Sequence, residues 1–173
     1  METLDCIKTR ASVRSFRRDG IPENVLGEIL GAAAQAPSAG NVQDWEFVVV
    51  TKQETKQRLA ESAWGQGFIA EAPAVVVVCS NLRAISSTYG ERGKSLYSIQ
   101  DAAAATQNLM LAAWDKKIGS CWVGSFNEEK VREALVLPSM IRPLAIIPLG
   151  YPASKPSKTD RKELEEVVHR EFY

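Results

Sequence analysis

Apolar positions in the first third of the chain predict a helix, a turn and a strand. Apolar residues recur at three- and four-residue spacing from Pro22 to Gln35, which predicts an amphipathic helix with proline in its first turn. The turn-forming residues from Ala36 to Asn41 end this helix, and the apolar run from Trp45 to Thr51 predicts a strand.

Two further helices are predicted from capping patterns. Thr3 stands as an N-cap before an apolar pattern, which predicts a short helix that ends near Arg10. Thr51, followed by Glu54 three residues later, has the spacing of a capping box and predicts a polar helix that runs to about Ala63.

The middle of the chain contains its two most apolar segments. Ala74 to Cys79 is short, continuous and rich in valine, which predicts a strand buried on both faces. Asn81 to Tyr97 is predicted to be a mobile connection. Ile99 to about Lys117 is apolar almost all round and predicts a helix enclosed on every side. Because a chain of this size encloses such a helix only with difficulty, we expect a homodimer in which two copies pack together.

The last third predicts two strands, a helix and a tail. Gly119 to Val123 is a short strand, and Asn127 caps a helix that runs to Leu135. Pro143 to Leu149 is a last strand; its two prolines predict an edge position or a bulge. Tyr151 to Tyr173 is a polar tail that needs a surface to lie on. The element order permits a parallel doubly wound sheet or an α+β sandwich.

Composition places the chain among ordinary folded proteins. Its 173 residues are 45% hydrophobic and 24% charged, so we expect one domain over 1–173 and no disorder. Lys plus Arg (21) equals Asp plus Glu (21), which gives no net attraction to nucleic acid or an anionic membrane. The apolar runs are too short for an export signal or a membrane span, so a cytoplasmic location is expected.

Few residues of the chain offer side-chain chemistry. Three cysteines without paired spacing and a single histidine exclude a disulfide framework and a zinc site. A dyad of Cys121 with His169 stays open, although both residue types have ordinary structural explanations. Asp101 is a candidate base or a dipole-favoured acid at the head of its helix. Gly65-x-Gly67-x-x-Ala70 matches a dinucleotide fingerprint but follows a helix instead of a strand.

The irregular segment after the first helix concentrates two guanidinium groups and a hydroxyl. Arg10, Ser12 and Arg14 fall within five residues of one another. Arginine binds phosphate oxygens bidentately and is more weakly hydrated than lysine. The cluster therefore suits a phosphate monoester, with a solvated basic face as the alternative.

At these residues the chain resembles the nitroreductase-like family of FMN-dependent flavoproteins. Residues 9–16 (TRASVRSF) resemble its N-terminal signature R-x-S-[VI]-R-x-F, and residues 36–45 (APSAGNVQDW) resemble its turn A-P-S-[SA]-x-N-x-Q-P-W. Three weaker matches follow in the family order: residues 71–73, residues 101–109 with 119–124, and residues 149–152 with the stretch 158–166.

The resemblance implies an α+β three-layer sandwich with a mainly antiparallel sheet, in an intertwined homodimer whose tail extends onto the partner. It implies that the FMN phosphate is held by one set of residues: Arg10, Ser12, Arg14 and Arg161. The flavin would be lined from the partner subunit by a second set: Pro37, Ser38, Ala39, Asn41 and Gln43. Gly124 and Ser125 would lie beside the flavin ring, where a glycine permits close approach of backbone.

The implied activity is an FMN-dependent oxidoreductase that follows a ping-pong scheme. NADH or NADPH would reduce the flavin, which would pass electrons to nitroaromatics, quinones or similar small acceptors, with no catalytic side chain and no metal. Two alternatives stay open: an oxidase, dehalogenase or flavin-consuming relative, and a non-catalytic dimer that binds a phosphate or nucleotide. One departure from the family concerns the site, because Asp44 stands where the turn has proline. The other is the short stretch from Asn81 to Tyr97, where longer members carry a helical excursion over the active site.

Overall fold

A computed structural model describes all residues from 1 to 173. It contains seven α-helices: α1 (Thr3–Thr9), α2 (Glu23–Ala33), α3 (Gln53–Ser62), α4 (Phe68–Glu71), α5 (Leu82–Arg92), α6 (Ser98–Asp115) and α7 (Glu128–Leu135). It contains four strands: β1 (Trp45–Val50), β2 (Ala74–Asn81), β3 (Gly119–Ser120) and β4 (Ile141–Gly150). Short 3-10 turns occur at Ala39–Asn41 and Leu164–Glu166. No helix is both long and apolar enough to cross a bilayer.

The four strands form one antiparallel sheet in the order β1-β2-β4-β3. The doubly wound parallel alternative is therefore wrong, and the mainly antiparallel α+β sheet is confirmed. β2 is central and buried on both faces, as its valine run predicts. Its alternate side chains enter two different cores.

The two cores define the three layers of the sandwich. Val75 and Val77 of β2 pack with Leu59, Ile69 and other residues of α3, α4 and α7. Val76 and Val78, on the other face, pack with residues of α2 and α6, which include Ile29 and Leu109. Each layer of helices therefore buries its apolar face against one side of the same sheet.

The last strand lies inside the sheet instead of at its edge. β4 pairs with β2 on one side and with β3 on the other, so the predicted edge position is wrong. The predicted bulge is present, because Ala145 faces Val78 while Pro143 faces Cys79 and Leu144 is left between them. β3 is only two residues long, so it pairs with β4 at only two positions. Along the rest of that side, β4 forms no strand ladder that would require backbone N–H donors, which proline lacks.

The stretch predicted as a mobile connection is helical. α5 is followed directly by a π-helical turn at Gly93–Tyr97 and by α6. The Asn81 side chain caps α5 by accepting a hydrogen bond from Ala84 N, and Ile85 is fully buried. A Cβ on Gly93 would lie 2.8 Å from the Ile85 carbonyl oxygen, so only glycine permits this close packing.

Two of the three predicted N-caps are wrong. α1 begins at Thr3 itself behind Glu2, and α3 begins behind Lys52, in both cases without a side-chain cap. The third is confirmed, because the Asn127 side chain accepts a hydrogen bond from Lys130 N at 3.0 Å. Helix α6 buries one face in the sandwich, while Ala103, Ala104 and Ile99 on other faces are half-buried or exposed. The chain alone therefore does not enclose α6 on every side, and the expected homodimer stays a prediction.

Candidate functional site

Four basic side chains meet in a cavity of about 230 Å³ between the N-terminal segment and the tail. We call this cavity the basic cleft. It is lined by Arg10, Ala11, Ser12, Arg14, Ser157, Lys158, Thr159 and Arg161. The structure therefore brings together Arg10, Ser12 and Arg14 with the distant Arg161, as the phosphate set of the resemblance requires. The cleft also contains the basic residue Lys158, for which the sequence predicted no role.

The first wall of the cleft is fixed by the edge of the sheet. Helix α1 ends at Thr9 with Arg10 as its C-cap, and the following residues run parallel to β3, where Val13 N donates to Ser120 O at 2.9 Å. A Cβ on Gly119 would lie 2.5 Å from Val13 Cγ2, so glycine permits this close approach. The segment is thereby held with Ser12 and Arg14 at the surface.

The second wall is the tail, which is tied to the same segment. Ala153 N donates to Ser15 O at 3.0 Å, and Arg17 N donates to Tyr151 O at 2.8 Å. These bonds begin a path that places Lys158 and Arg161 opposite Arg10. Lys158 Nζ donates to the Lys8 carbonyl oxygen, and Arg161 Nη1 donates to oxygen atoms of Thr159 and Asp160.

The positive charge of the cleft is not balanced by a nearby carboxylate of the chain. None of its four basic side chains takes part in an ion pair, and no carboxylate lines the cavity. Arg10 Nη1 is buried and has no hydrogen-bond partner. A buried donor without a partner costs about 1–3 kcal/mol. An anion in the cleft would supply the missing acceptor, and a phosphate monoester fits this donor set.

A second part of the candidate site continues from β3. The Cys121 thiol lies against Ser12 and Arg14, and its burial raises its pKa. His169 lies in the exposed tail and stacks on Tyr173 with ring centroids 4.4 Å apart. A Cys121 and His169 dyad is therefore absent from this structure.

Two exposed tryptophans flank the residues that follow Cys121. Gly124 and Ser125 are exposed, and the Trp122 indole nitrogen is 3.7 Å from the position of a Cβ on Gly124. Trp64 Nε1 donates to Ser125 Oγ at 3.2 Å. The residues Trp64 and Trp122 are 69% and 40% exposed. No local pattern in the sequence indicates these two residues, because the exposure of an indole depends on the fold.

The third part is the loop at residues 36–43, which precedes β1. Ser38 Oγ accepts a hydrogen bond from Gln43 N at 3.0 Å, and Gly40, Asn41 and Gln43 have positive φ angles. A Cβ on Gly40 would overlap the Tyr89 hydroxyl, so α5 packs directly on this loop. Pro37 and Asn41 are exposed, while Ser38 and Ala39 are half-buried.

Two buried carboxyl groups support the loop from below. Both oxygens of Asp101 accept a hydrogen bond from Ala39 N, at 3.0 and 3.1 Å. Asp101 thereby has a structural partner at the head of α6. Asp44 accepts a hydrogen bond from the Ser80 hydroxyl, and burial together with the adjacent Asp101 raises the pKa of Asp44 to about 6.

The loop and the basic cleft lie at opposite corners of the sheet. The loop leads into Trp45, which is level with Ser80 and Arg142, whereas the cleft adjoins β3 beside Leu149. Three interstrand spacings and about seven residues along β4 separate the two corners, which corresponds to roughly 25 Å. One chain therefore does not bring the Pro37–Gln43 residues to the residues that would hold a phosphate.

Fold and site together define an α+β sandwich protein with an uncompensated basic cleft at one corner. The model of the nitroreductase family matches residues 7–79 and 62–151 of the chain. The chain belongs to the nitroreductase family. The matched segments include the first wall of the cleft, the 36–43 loop and Gly124, but end before Arg161.

Individual relatives agree with this assignment. The chain is 36% identical to an NADH dehydrogenase of Thermus thermophilus, over 92% of this chain and 91% of that protein. It is 27% identical to an FMN reductase (NADPH) of Bacillus subtilis, over 99% of this chain and 74% of that protein. Among solved structures, a nitroreductase family protein from Streptococcus pneumoniae superposes with a TM-score of 0.90 at 25% identity, covering 98% of this chain and all of that one.

Proposed function

We propose that this protein is an FMN-dependent oxidoreductase that takes electrons from NADH or NADPH and reduces nitroaromatics, quinones or similar small acceptors in a ping-pong scheme. The observation that carries the proposal is the basic cleft. Its four basic side chains form no ion pair, and Arg10 Nη1 is buried without a hydrogen-bond partner, so the cleft suits an anion. The names of relatives, which include an FMN reductase, support a flavin as the molecule that bears this anion.

The cleft would hold the phosphate of FMN. Arg10, Ser12 and Arg14 would bind it from the N-terminal segment, and Arg161 with Lys158 from the tail. Hydrogen bonds to charged groups contribute about 1.5–3 kcal/mol each, so several of them give tight binding. Arg161 and Lys158 would exchange their present carbonyl partners for phosphate oxygens.

The remaining site residues would position the ring system. Gly124 and Ser125 are exposed and follow shortly after Cys121, which lies against Ser12 and Arg14 of the cleft. Trp64 and Trp122 add flat aromatic surface for planar donors and acceptors. The loop residues Pro37, Ser38, Ala39, Asn41 and Gln43 would line the flavin from a second copy of the chain. This division of the site agrees with the separation of loop and cleft in one chain and with the uncovered faces of α6.

The protein contributes binding and orientation to this reaction. The flavin supplies the redox chemistry when bound, since its ring accepts and donates hydride. No acidic or basic side chain is required at the reacting atoms. In agreement with this, both Asp101 oxygens are bonded to Ala39 N, and the Cys121 thiol is buried with a raised pKa.

The first test is the visible absorption spectrum of the purified protein, with the released chromophore identified by chromatography. We expect a flavin spectrum from FMN at about one per chain. A colourless protein that binds no added FMN would overturn the proposal and favour the non-catalytic dimer that binds another phosphate compound in the cleft.

Replacement of one cleft arginine tests the residue assignment. We expect Arg14→Ala to weaken FMN binding about ten- to hundredfold, because one charge-assisted contact is lost, while the unfolding temperature is unchanged. Arg58→Ala is the matched control, because Arg58 is exposed on α3 away from the cleft. Fluorescence titration with FMN measures both variants, and wild-type affinity in Arg14→Ala would remove its assigned role.

A further inference from the structure

Two carboxyl groups lie buried together beneath the 36–43 loop, and we call Asp44 and Asp101 the carboxyl pair. Asp44 is 2% exposed, its Oδ2 accepts a hydrogen bond from the Ser80 hydroxyl, and its Oδ1 is buried without a hydrogen-bond partner. Asp101 is 5% exposed, and both of its oxygens share the single N–H of Ala39. The pair therefore has far more acceptors than donors.

No positive charge compensates the carboxyl pair. Neither residue takes part in an ion pair of the molecule. Asp101 on α6 is the charged group that acts on Asp44, Ser80 on β2 is its polar partner, and Glu46 on β1 points to solvent. From α5, the titratable Tyr89 hydroxyl contacts Gly40 of the loop. Ala36, Trp45 and Ala105 form the apolar cluster nearby.

Two ionised carboxylates are unfavourable in such surroundings. A buried charge needs a counter-charge or a full set of donors, and two like charges at one site disfavour double ionisation. Protonation of one of the two carboxyl groups would supply a donor without any movement of the chain. A proton on one carboxyl converts an orphaned acceptor into a donor toward the other.

We propose that Asp44 and Asp101 hold one proton between them, carried by Asp44 Oδ1 and donated to the Asp101 carboxylate, and that this bond positions the flavin-facing loop. Asp101 transmits the effect, because its oxygens hold Ala39 N at the start of the 3-10 turn of the loop. The last step rests on the proposed function, in which this loop lines the flavin of the partner. Asp44 is thus a positioning residue and not a catalytic one.

The shared proton makes the stability of the fold depend on pH. Burial and the neighbouring Asp101 raise the pKa of Asp44 from 3.8 to about 6. A carboxyl with a raised pKa in the folded state stabilises the fold fully at low pH and loses this contribution as pH rises toward and through 6. Above that range the two carboxylates repel each other and the hold of Asp101 on Ala39 weakens.

The first experiment tests the shared proton in the whole protein without added ligand. Asp44→Asn keeps an acceptor for Ser80 and supplies an N–H donor for Asp101, so it imitates the protonated pair at every pH. We expect the unfolding temperature of the wild type to fall relative to Asp44→Asn as pH rises from 5 to 7.5. Glu46→Gln, two residues away on the exposed face of β1, should keep the wild-type slope. Parallel curves for wild type and Asp44→Asn would overturn the shared proton.

A spectroscopic measurement on the wild-type protein tests the shared proton even if the Asp44→Asn variant does not fold. In wild-type protein labelled with ¹³C at aspartate carboxyl carbons, one resonance should titrate near pH 6, well above the ordinary aspartate range. Asp160 and Asp19 lie on the exposed surface and serve as internal references in the same spectrum. Absence of any aspartate resonance that titrates above pH 5 would overturn the proposal.

The second experiment tests the effect on the loop. We expect the ratio of wild-type to Asp44→Asn FMN affinity to fall about threefold or more from pH 5.5 to 7.5, within the tenfold per pH unit that one linked proton allows. The second ionisation of the FMN phosphate, at about pH 6, acts on both proteins alike and cancels in this ratio. A titrating carboxyl with a level affinity ratio would overturn the positioning role alone. If no form of the protein binds FMN, the proposed function fails, while the ¹³C titration still decides whether the proton is shared.

Discussion

The basic cleft and the carboxyl pair are both clusters of like charge without an opposite charge in the chain. The cleft is open to solvent at the edge of the sheet, whereas the carboxyl pair is buried below the loop. An open cluster of cations can take its counter-charge from a ligand, but a sealed pair of acids can only take up a proton. Accessibility therefore decides whether a cluster of one charge becomes a binding site or a titrating group.

A charge reversal in the cleft is expected to have the largest effect. Arg10→Glu places a carboxylate where the orphaned Nη1 lies, so it both removes a donor and repels a phosphate. We expect FMN affinity to fall by about a hundredfold or more, as judged by fluorescence titration. Arg58→Glu on α3 gives the same change in net charge and should keep affinity within about twofold.

A change in the support of the cleft should have an intermediate effect. Gly119→Ala forces a Cβ against Val13, which lies between Ser12 and Arg14. We expect a loss of about 1–3 kcal/mol in the free energy of unfolding, measured in urea, and weaker FMN binding. Gly31→Ala has open space around its Cβ in α2 and should leave stability unchanged or raise it. Equal stability of Gly119→Ala and wild type would contradict the close approach.

Salt should have the smallest effect and should separate the two clusters. Raising ionic strength from about 0.05 to 0.5 M is expected to weaken FMN binding several-fold, because the cleft is open to solvent and its charges are screened. The titration midpoint of Asp44 should move much less, since the carboxyl pair is buried. A midpoint that moves as strongly as the FMN affinity would show that solvent ions reach the pair.

The sequence predicted those parts of the fold that depend on local pattern. The valine run of β2 and the capped helix α7 are confirmed, because continuous burial and an N-cap leave a signal within a few residues. α5 was missed because its helix depends on tertiary contacts, namely the buried Ile85 and the close approach of Gly93. For β4 the predicted bulge is confirmed and the predicted edge position is wrong, because a pair of prolines indicates a bulge as readily as an edge.

The candidate site shows the same division. The cluster of Arg10, Ser12 and Arg14 is visible in the sequence, and the family resemblance added Arg161 across the whole length of the chain. The position of Lys158 in the cleft arises only when the tail folds against the N-terminal segment, and the exposed Trp64 is placed in the site only by its contact with Ser125. The link between Asp44 and Asp101 joins residues far apart in sequence, so no spacing could indicate it.

The placement of the loop and the cleft at opposite corners of the sheet has a genetic consequence. In a two-fold dimer of the proposed kind, each flavin would draw its phosphate ligands from one chain and its ring-lining loop from the other. In such a dimer, a chain with a damaged cleft and a chain with a damaged loop would each be inactive alone. A mixed dimer of the two would regain one intact site, so two defective alleles expressed together should complement each other.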